Sequence, residues 1–127
     1  MSDAGITLDA GALIAFDRND RLAVTLIARA LERRIHIAVP AAVVGQAWRD
    51  GRRQARLARL LASDAVTVEP LDDAGARAAG QLCGVMKTAD VVDASVVLCA
   101  RRRGDTVLTS DAGDLRRLDP VLRLVAV

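Results

Sequence analysis

Apolar positions along the chain follow two rhythms in alternation. Ile6-Thr7-Leu8 is a short run, β-branched at its first two residues and bounded by Gly5 and Gly11, which fits a buried strand better than a helix. Ile35–Val39, Val66–Glu69, Val107–Thr109 and Leu122–Val127 read the same way. Between these runs the spacing becomes helical. A short helix is expected over Leu13–Phe16, and a longer one over about Arg21–Arg33 with Leu22, Leu26, Ala30 and Leu31 on its inner side. Further helices are predicted over Ala41–Gly51, Arg52–Leu61, Asp72 or Asp73 to Met86, Val92–Arg103 and Asp111–Leu118.

The punctuation agrees with these boundaries. Asn19-Asp20 and Thr88-Ala89-Asp90 offer helix caps, Pro40 suits the first turn of a helix, and Gly104 is a stop. Gly75, Gly80 and Gly84 weaken the helix ending at Met86 in isolation and suggest close contact with another helix. Strands alternating with helices, without a linker or repeat, predict an α/β fold: one domain over residues 1–127 with a mostly parallel sheet flanked by helices.

Composition narrows the function. The chain has 127 residues, 52% of them hydrophobic and only 2% aromatic, which argues against a platform of aromatic rings for single-stranded nucleic acid. The formal charge is +2, and Lys87 is the sole lysine. Arginine suits phosphate contacts, although a solvated arginine face has the same composition. Arg49, Arg52, Arg53 and Arg56 share the spacing of one basic helix face. Cys83 and Cys99 lie inside apolar helical patterns and make no disulfide framework, and no apolar run is long enough for a membrane span. A cytoplasmic protein is expected. His36 sits among alternating apolar residues with no second histidine to complete a zinc set, which leaves it a structural role.

The acids carry the chemistry. Asp9 and Asp111 each follow a strand, and in a parallel sheet both fall at the carboxyl edge, where such sheets bind ligands. Asp93 shares a helix face with Val96, Val97 and Ala100, so its carboxylate points inward from the first turn. Asp90 precedes it on that face, and Asp114 repeats the spacing after Asp111. Capping explains Asp90 and Asp111 taken singly; carboxylates gathered in one cleft repel one another unless a cation neutralises them. Hard oxygen ligands point to Mg²⁺ or Mn²⁺, with metal-activated water as the reagent.

Leu8-Asp9 followed by a small residue, Asp93-Ala94-Ser95-Val96-Val97 with Ala100 beyond, and Val107-Leu108-Thr109-Ser110-Asp111 with Asp114-Leu115 together resemble the PIN domain, in particular the toxin ribonuclease of VapBC toxin–antitoxin pairs. The resemblance spans essentially the whole chain. It implies Mg²⁺-dependent endonucleolytic cleavage of RNA, with Asp9, Asp93 and Asp111 as metal-binding acids and Thr109 as a supporting hydroxyl. Asp90 and Asp114 would stand behind them, and Arg49, Arg52, Arg53 and Arg56 would hold RNA. It also implies an antitoxin partner and a homodimer. One position departs from the pattern: the family's further acid, usually Glu, falls on Gln46, which brings no negative charge. Asp50, one helical turn along, is the candidate to compensate.

A second reading follows from Gln46: a catalytically impaired PIN-like module that binds RNA or a protein. Two other α/β classes fit poorly. A phospho-accepting receiver wants adjacent acids where Asp9 is followed by Ala10, and a haloacid-dehalogenase-like phosphatase wants an Asp where Gly11 stands.

Overall fold

A computed structural model describes residues 4–127 of the chain; of the expected domain 1–127, residues 1–3 lie outside the described residues. Five strands, β1 (Ile6–Leu8), β2 (Ile37–Pro40), β3 (Val66–Glu69), β4 (Thr106–Thr109) and β5 (Leu124–Ala126), form one sheet in the order β3-β2-β1-β4-β5. Every pairing is parallel, so the sheet is wholly rather than mostly parallel. The helices are α1 (Ala10–Asp17), α2 (Arg21–Glu32), α3 (Ala41–Ala47), α4 (Ala55–Leu61), α5 (Asp73–Met86), α6 (Val91–Arg103) and α7 (Ala112–Leu118).

The winding reverses between β3 and β4, so the carboxyl ends of β1 and β4 flank the topological switch point. Right-handed crossovers put the helices after β1 and β2 on one face and those after β3 and β4 on the other. Correspondingly, α1 packs on α2, α3 and α4, while α5, α6 and α7 pack on one another. The core is aliphatic: Leu8, Leu13, Ile27, Ile37, Val39, Val43, Leu57, Val96, Val97 and Val107 are fully buried. Truncating such a leucine or isoleucine to alanine costs about 2–5 kcal/mol.

Five helices start the same way. Asp9, Asp20, Asp72, Asp90 and Asp111 each stand at the cap and accept from the backbone N–H three residues on. Each cap is worth roughly 0.5–2 kcal/mol. The end of α6 is set by Gly104, whose φ of 68° is open to glycine at no steric cost.

Two expectations need correction. The helix expected over Ala41–Gly51 ends at Ala47, and the next begins only at Ala55, so Arg49, Arg52 and Arg53 lie in a turn rather than on a helix face. The cause is Gln54, buried at 8% exposure. Its Oε1 accepts from the N–H groups of Arg49 (2.7 Å) and Asp50 (2.8 Å), and its Nε2 donates to the Ala47 carbonyl (2.8 Å) and to Asp17 Oδ2 (3.0 Å). That amide supplies what further helical turns would have supplied. Secondly, α5 does pack on α6, and Ala79 and Cys83 are its buried residues, but Gly80 and Gly84 face open space.

Candidate metal centre

Asp9 caps α1 and is 4% exposed. Its Oδ1 accepts from Ala12 N–H at 2.8 Å and its Oδ2 from the hydroxyl of Thr109, a fully buried residue. The same Thr109 oxygen accepts the Asp111 N–H at 2.8 Å. One hydroxyl thus ties the acid at the end of β1 to the backbone of the acid after β4. The two turns meet closely because residue 11 is glycine: a Cβ there would lie 1.6 Å from Ser110 Oγ.

Asp93 enters from the first turn of α6, half-buried. Burial is the main force raising its carboxyl, to about 7 from the ordinary 3.8, followed by the charges of Asp90, Asp9 and Asp114. Burial also raises Asp9, the Asp111 charge adds to this, and the Thr109 and Ala12 hydrogen bonds work against it. Asp114 is raised by its hydrogen bond to Asp111 and that acid's charge. Asp90, Asp111 and Asp114 are exposed. Among the described residues no arginine or lysine forms a salt bridge with any of these five acids.

The donors suit a hard divalent cation, being carboxylate and hydroxyl oxygens only. In the arrangement present, no three His, Cys, Asp or Glu side chains among the described residues stand close enough to form a finished ligand set. The carboxylates of Asp9, Asp90 and Asp111 are instead turned toward N–H groups as helix caps.

Gln46 is exposed and makes no hydrogen bond to Asp9, Asp93 or Asp111 among the described residues; it lines a cleft of about 260 Å³ with Asp17, Arg18, Arg49 and Gln54. Asp50 lies beyond the end of α3, exposed, accepting from Arg52 N–H and standing 3.9 Å from Arg53 Nε. It is not on the helix face it was expected to share with Gln46. A second cavity, of about 430 Å³, runs between α5, α6 and the end of β3 past Leu71, Ala78, Leu98 and Arg102, and touches none of the five acids. His36 bonds Thr67 through Nε2 at 2.8 Å, consistent with a structural part. No described helix is long and apolar enough to cross a membrane.

Sequence reasoning missed a second buried acid on the same strands. Asp105, immediately before β4, accepts from Gly5 N–H (3.0 Å) and from the Thr7 hydroxyl (2.9 Å). Arg103 Nε lies 3.3 Å from Asp105 Oδ2 as a charge contact without hydrogen-bond alignment, while its Nη1 bonds Glu69 at 2.6 Å. Only the Gly104-Asp105 step into a strand hinted at it.

The chain is thus an α/β protein with a parallel sheet and with Asp9 and Asp111 at the edge where such sheets bind ligands. Residues 6–120 match the PIN domain family, and the chain belongs to it. Nucleases are the rule in that family, and they generally use divalent metals. No curated protein matches the chain in sequence. Solved structures similar to it include FitAB bound to an IR36 DNA fragment (18% identity, 95% of this chain and 94% of that one, TM-score 0.63). VapBC2 from Rickettsia felis bound to a promoter DNA fragment is similar at 14% identity, with 96% and 98% covered and a TM-score of 0.66. FitAcB from Neisseria gonorrhoeae is similar at 17% identity, with 94% and 95% covered and a TM-score of 0.64. At these identities the likeness is one of fold.

Proposed function

We propose that this PIN-domain chain is a divalent-metal-dependent endoribonuclease, the toxin of a type II toxin–antitoxin pair. The observation that carries the reading is the acid cluster: Asp93 is held at about 7 among Asp9, Asp90 and Asp114, and among the described residues no basic side chain forms a salt bridge with any of them. Asp9, Asp93 and Asp111 would hold Mg²⁺ or Mn²⁺. When bound, the cation supplies Lewis-acid polarisation of a phosphoryl oxygen and a more acidic water. Thr109 keeps Asp9 in one orientation and fixes the backbone of Asp111. Asp90 and Asp111 hold the first turns of α6 and α7 in place as caps, and Asp90 and Asp114 raise the local negative charge around Asp93. With its carboxyl raised to about 7, Asp93 is only partly ionised at neutral pH, and cation binding would displace the remaining proton.

Arg49, Arg52, Arg53 and Arg56 are assigned to RNA phosphates, so binding should weaken steeply with added salt. The likeness to the FitAB and VapBC2 complexes supports an antitoxin partner, with a homodimer as the working assembly. The test is cleavage of mixed cellular RNA by the partner-free chain with Mg²⁺ or Mn²⁺. Discrete fragments that vanish with chelator and in Asp9→Ala support the reading; intact RNA under all conditions refutes it.

A second reading, an impaired module that binds without cutting, draws on Gln46 and on the unfinished ligand set. Gln46→Glu separates the two. Because Gln46 lines a cleft shared with Arg18 and Arg49, the nuclease reading expects little change in cleavage, whereas a large gain marks the natural chain as impaired.

A further inference from the structure

The turn between α3 and α4 carries the only tryptophan, and the chain has no tyrosine. Trp48 is 39% exposed. Its six-membered ring lies against Gly51, where a Cβ would come within 2.8 Å of Cζ2, so the ring is seated on the turn rather than loose above it. The turn itself is pinned from below by the four hydrogen bonds of Gln54. Arg49 sits across the end of α3, donating to the carbonyls of Gly45 (3.0 Å) and Trp48 (2.7 Å). Arg52 is exposed, and the Arg53 side chain is 89% exposed with only a 3.9 Å approach to Asp50. Arg56 and Arg59 follow on α4, and Arg18 shares a cleft with Arg49. Among the described residues Arg18, Arg49, Arg52, Arg56 and Arg59 have no acidic partner.

We infer that this turn is a recognition site for an unpaired nucleotide of an RNA strand, with the Trp48 indole as the surface on which one base stacks and Arg49, Arg52 and Arg53 on the flanking phosphates. The inference rests on RNA being the polymer this chain binds, as in the proposed function, and it adds a base-recognition site that the acid cluster does not contain. The charge of the turn is complementary to a phosphate backbone, and an aromatic ring fixed among arginines is the combination that captures single strands. In a duplex the base faces are already stacked, so the indole selects unpaired over paired RNA. The low aromatic content still excludes an extended stacking platform; one fixed ring suffices for one base.

Because Trp48 is the only tryptophan, intrinsic fluorescence reports on this site alone. The experiment uses the full chain with chelator present, so that binding is read without cleavage, and titrates a short mixed-sequence single-stranded oligoribonucleotide. Saturable quenching is expected with the single strand and not with its perfect duplex or with inorganic phosphate. By anisotropy of a labelled strand, Trp48→Ala weakens binding at least about fivefold and Trp48→Phe recovers most of the loss. At exposed positions that do not support the fold, Arg52→Gln and Arg53→Gln flatten the salt dependence. Equal quenching by duplex, strand binding that leaves Trp48 emission and the Trp48 variants unaffected, or quenching by poly-glutamate but not RNA would each overturn the inference, the last pointing to a protein surface. The two readings fail separately. A chain that binds and quenches but never cuts with metal loses the nuclease and keeps this site, while one that cuts with Trp48 silent loses this site alone.

Discussion

Strands β1 and β4 carry two buried aspartates in crossed arrangement, and the two have opposite surroundings. At the carboxyl end, Asp9 follows β1 and accepts the hydroxyl of Thr109 on β4. At the amino end, Asp105 precedes β4 and accepts the hydroxyl of Thr7 on β1. Both are about equally buried, at 4% and 5% exposure. Asp105 has Arg103 beside it, which Glu69 holds in place, whereas Asp9 has Asp93 and Asp111 for charged neighbours. A buried charge is tolerated when paired and costs stability when it meets its own sign. The amino end is thus a closed structural knot. The carboxyl end stores repulsion that a cation would relieve, and this asymmetry separates a ligand site from a fold-stabilising one when residue types and burial are the same.

The sharpest way to break the comparison is to unpair Asp105. Arg103→Ala leaves a buried carboxylate without its cation and should cost about 2–4 kcal/mol, below the top of the range for buried pairs because the Arg103 side chain is 26% exposed. Urea unfolding measures it. Next in size is Thr109→Val, which keeps the shape but strips a partner from both Asp9 and the Asp111 N–H; a loss of about 1–3 kcal/mol is expected by the same method, together with weaker cleavage. Asp93→Asn should run the other way. Removing one of several repelling carboxylates raises the melting temperature of the metal-free chain at pH 8, with little effect at pH 5, while cleavage drops by more than the roughly 10–100-fold typical of residues that only support metal ligands. A fall in melting temperature at pH 8 would mean that Asp93 is paired after all.

The smallest effect is in the pH dependence of the unmutated chain. Asp93 holds its proton to about pH 7 when folded, against an ordinary 3.8, so between those values the folded chain binds more protons than the unfolded one. Stability from this group is therefore full below about pH 4 and is lost as pH rises to 7. Asp119 acts in the opposite sense. Burial works to raise its carboxyl, but the Arg101 hydrogen bond and the Val121 N–H outweigh it and leave it lowered, so its contribution is present above the ordinary carboxylate range and lost on acidification. Added Mg²⁺ should flatten the alkaline side of the melting profile and leave the acid side unchanged.

How far these features could be read from residue order follows from the range of the forces behind them. Strand ends, caps and the inward face of α6 depend on neighbours within a turn, so Asp9, Asp90, Asp93 and Asp111 were placed correctly on their elements without coordinates. The end of α3 depends on Gln54, seven residues past the last helical carbonyl, whose amide replaces helical hydrogen bonds that the local sequence permits. Gly51 was the one local sign of a turn. Asp105 escaped notice because its partners Gly5 and Thr7 lie 100 and 98 residues away along the chain and meet it only through the fold. Gln46 follows the same logic. The family resemblance put it at the position of a further acid, but residue order does not say which neighbouring helix its end of α3 faces, and it lines a cleft with the end of α1.

The central claim is that the uncompensated acids at the switch point bind a divalent cation. Calorimetric titration of Mn²⁺ into the metal-free chain at pH 7, in buffers of different ionisation enthalpy, tests it directly. The account predicts binding accompanied by proton release, with both lost in Asp93→Asn. Absence of binding, or equal binding by Asp93→Asn with no proton released from either, would contradict it.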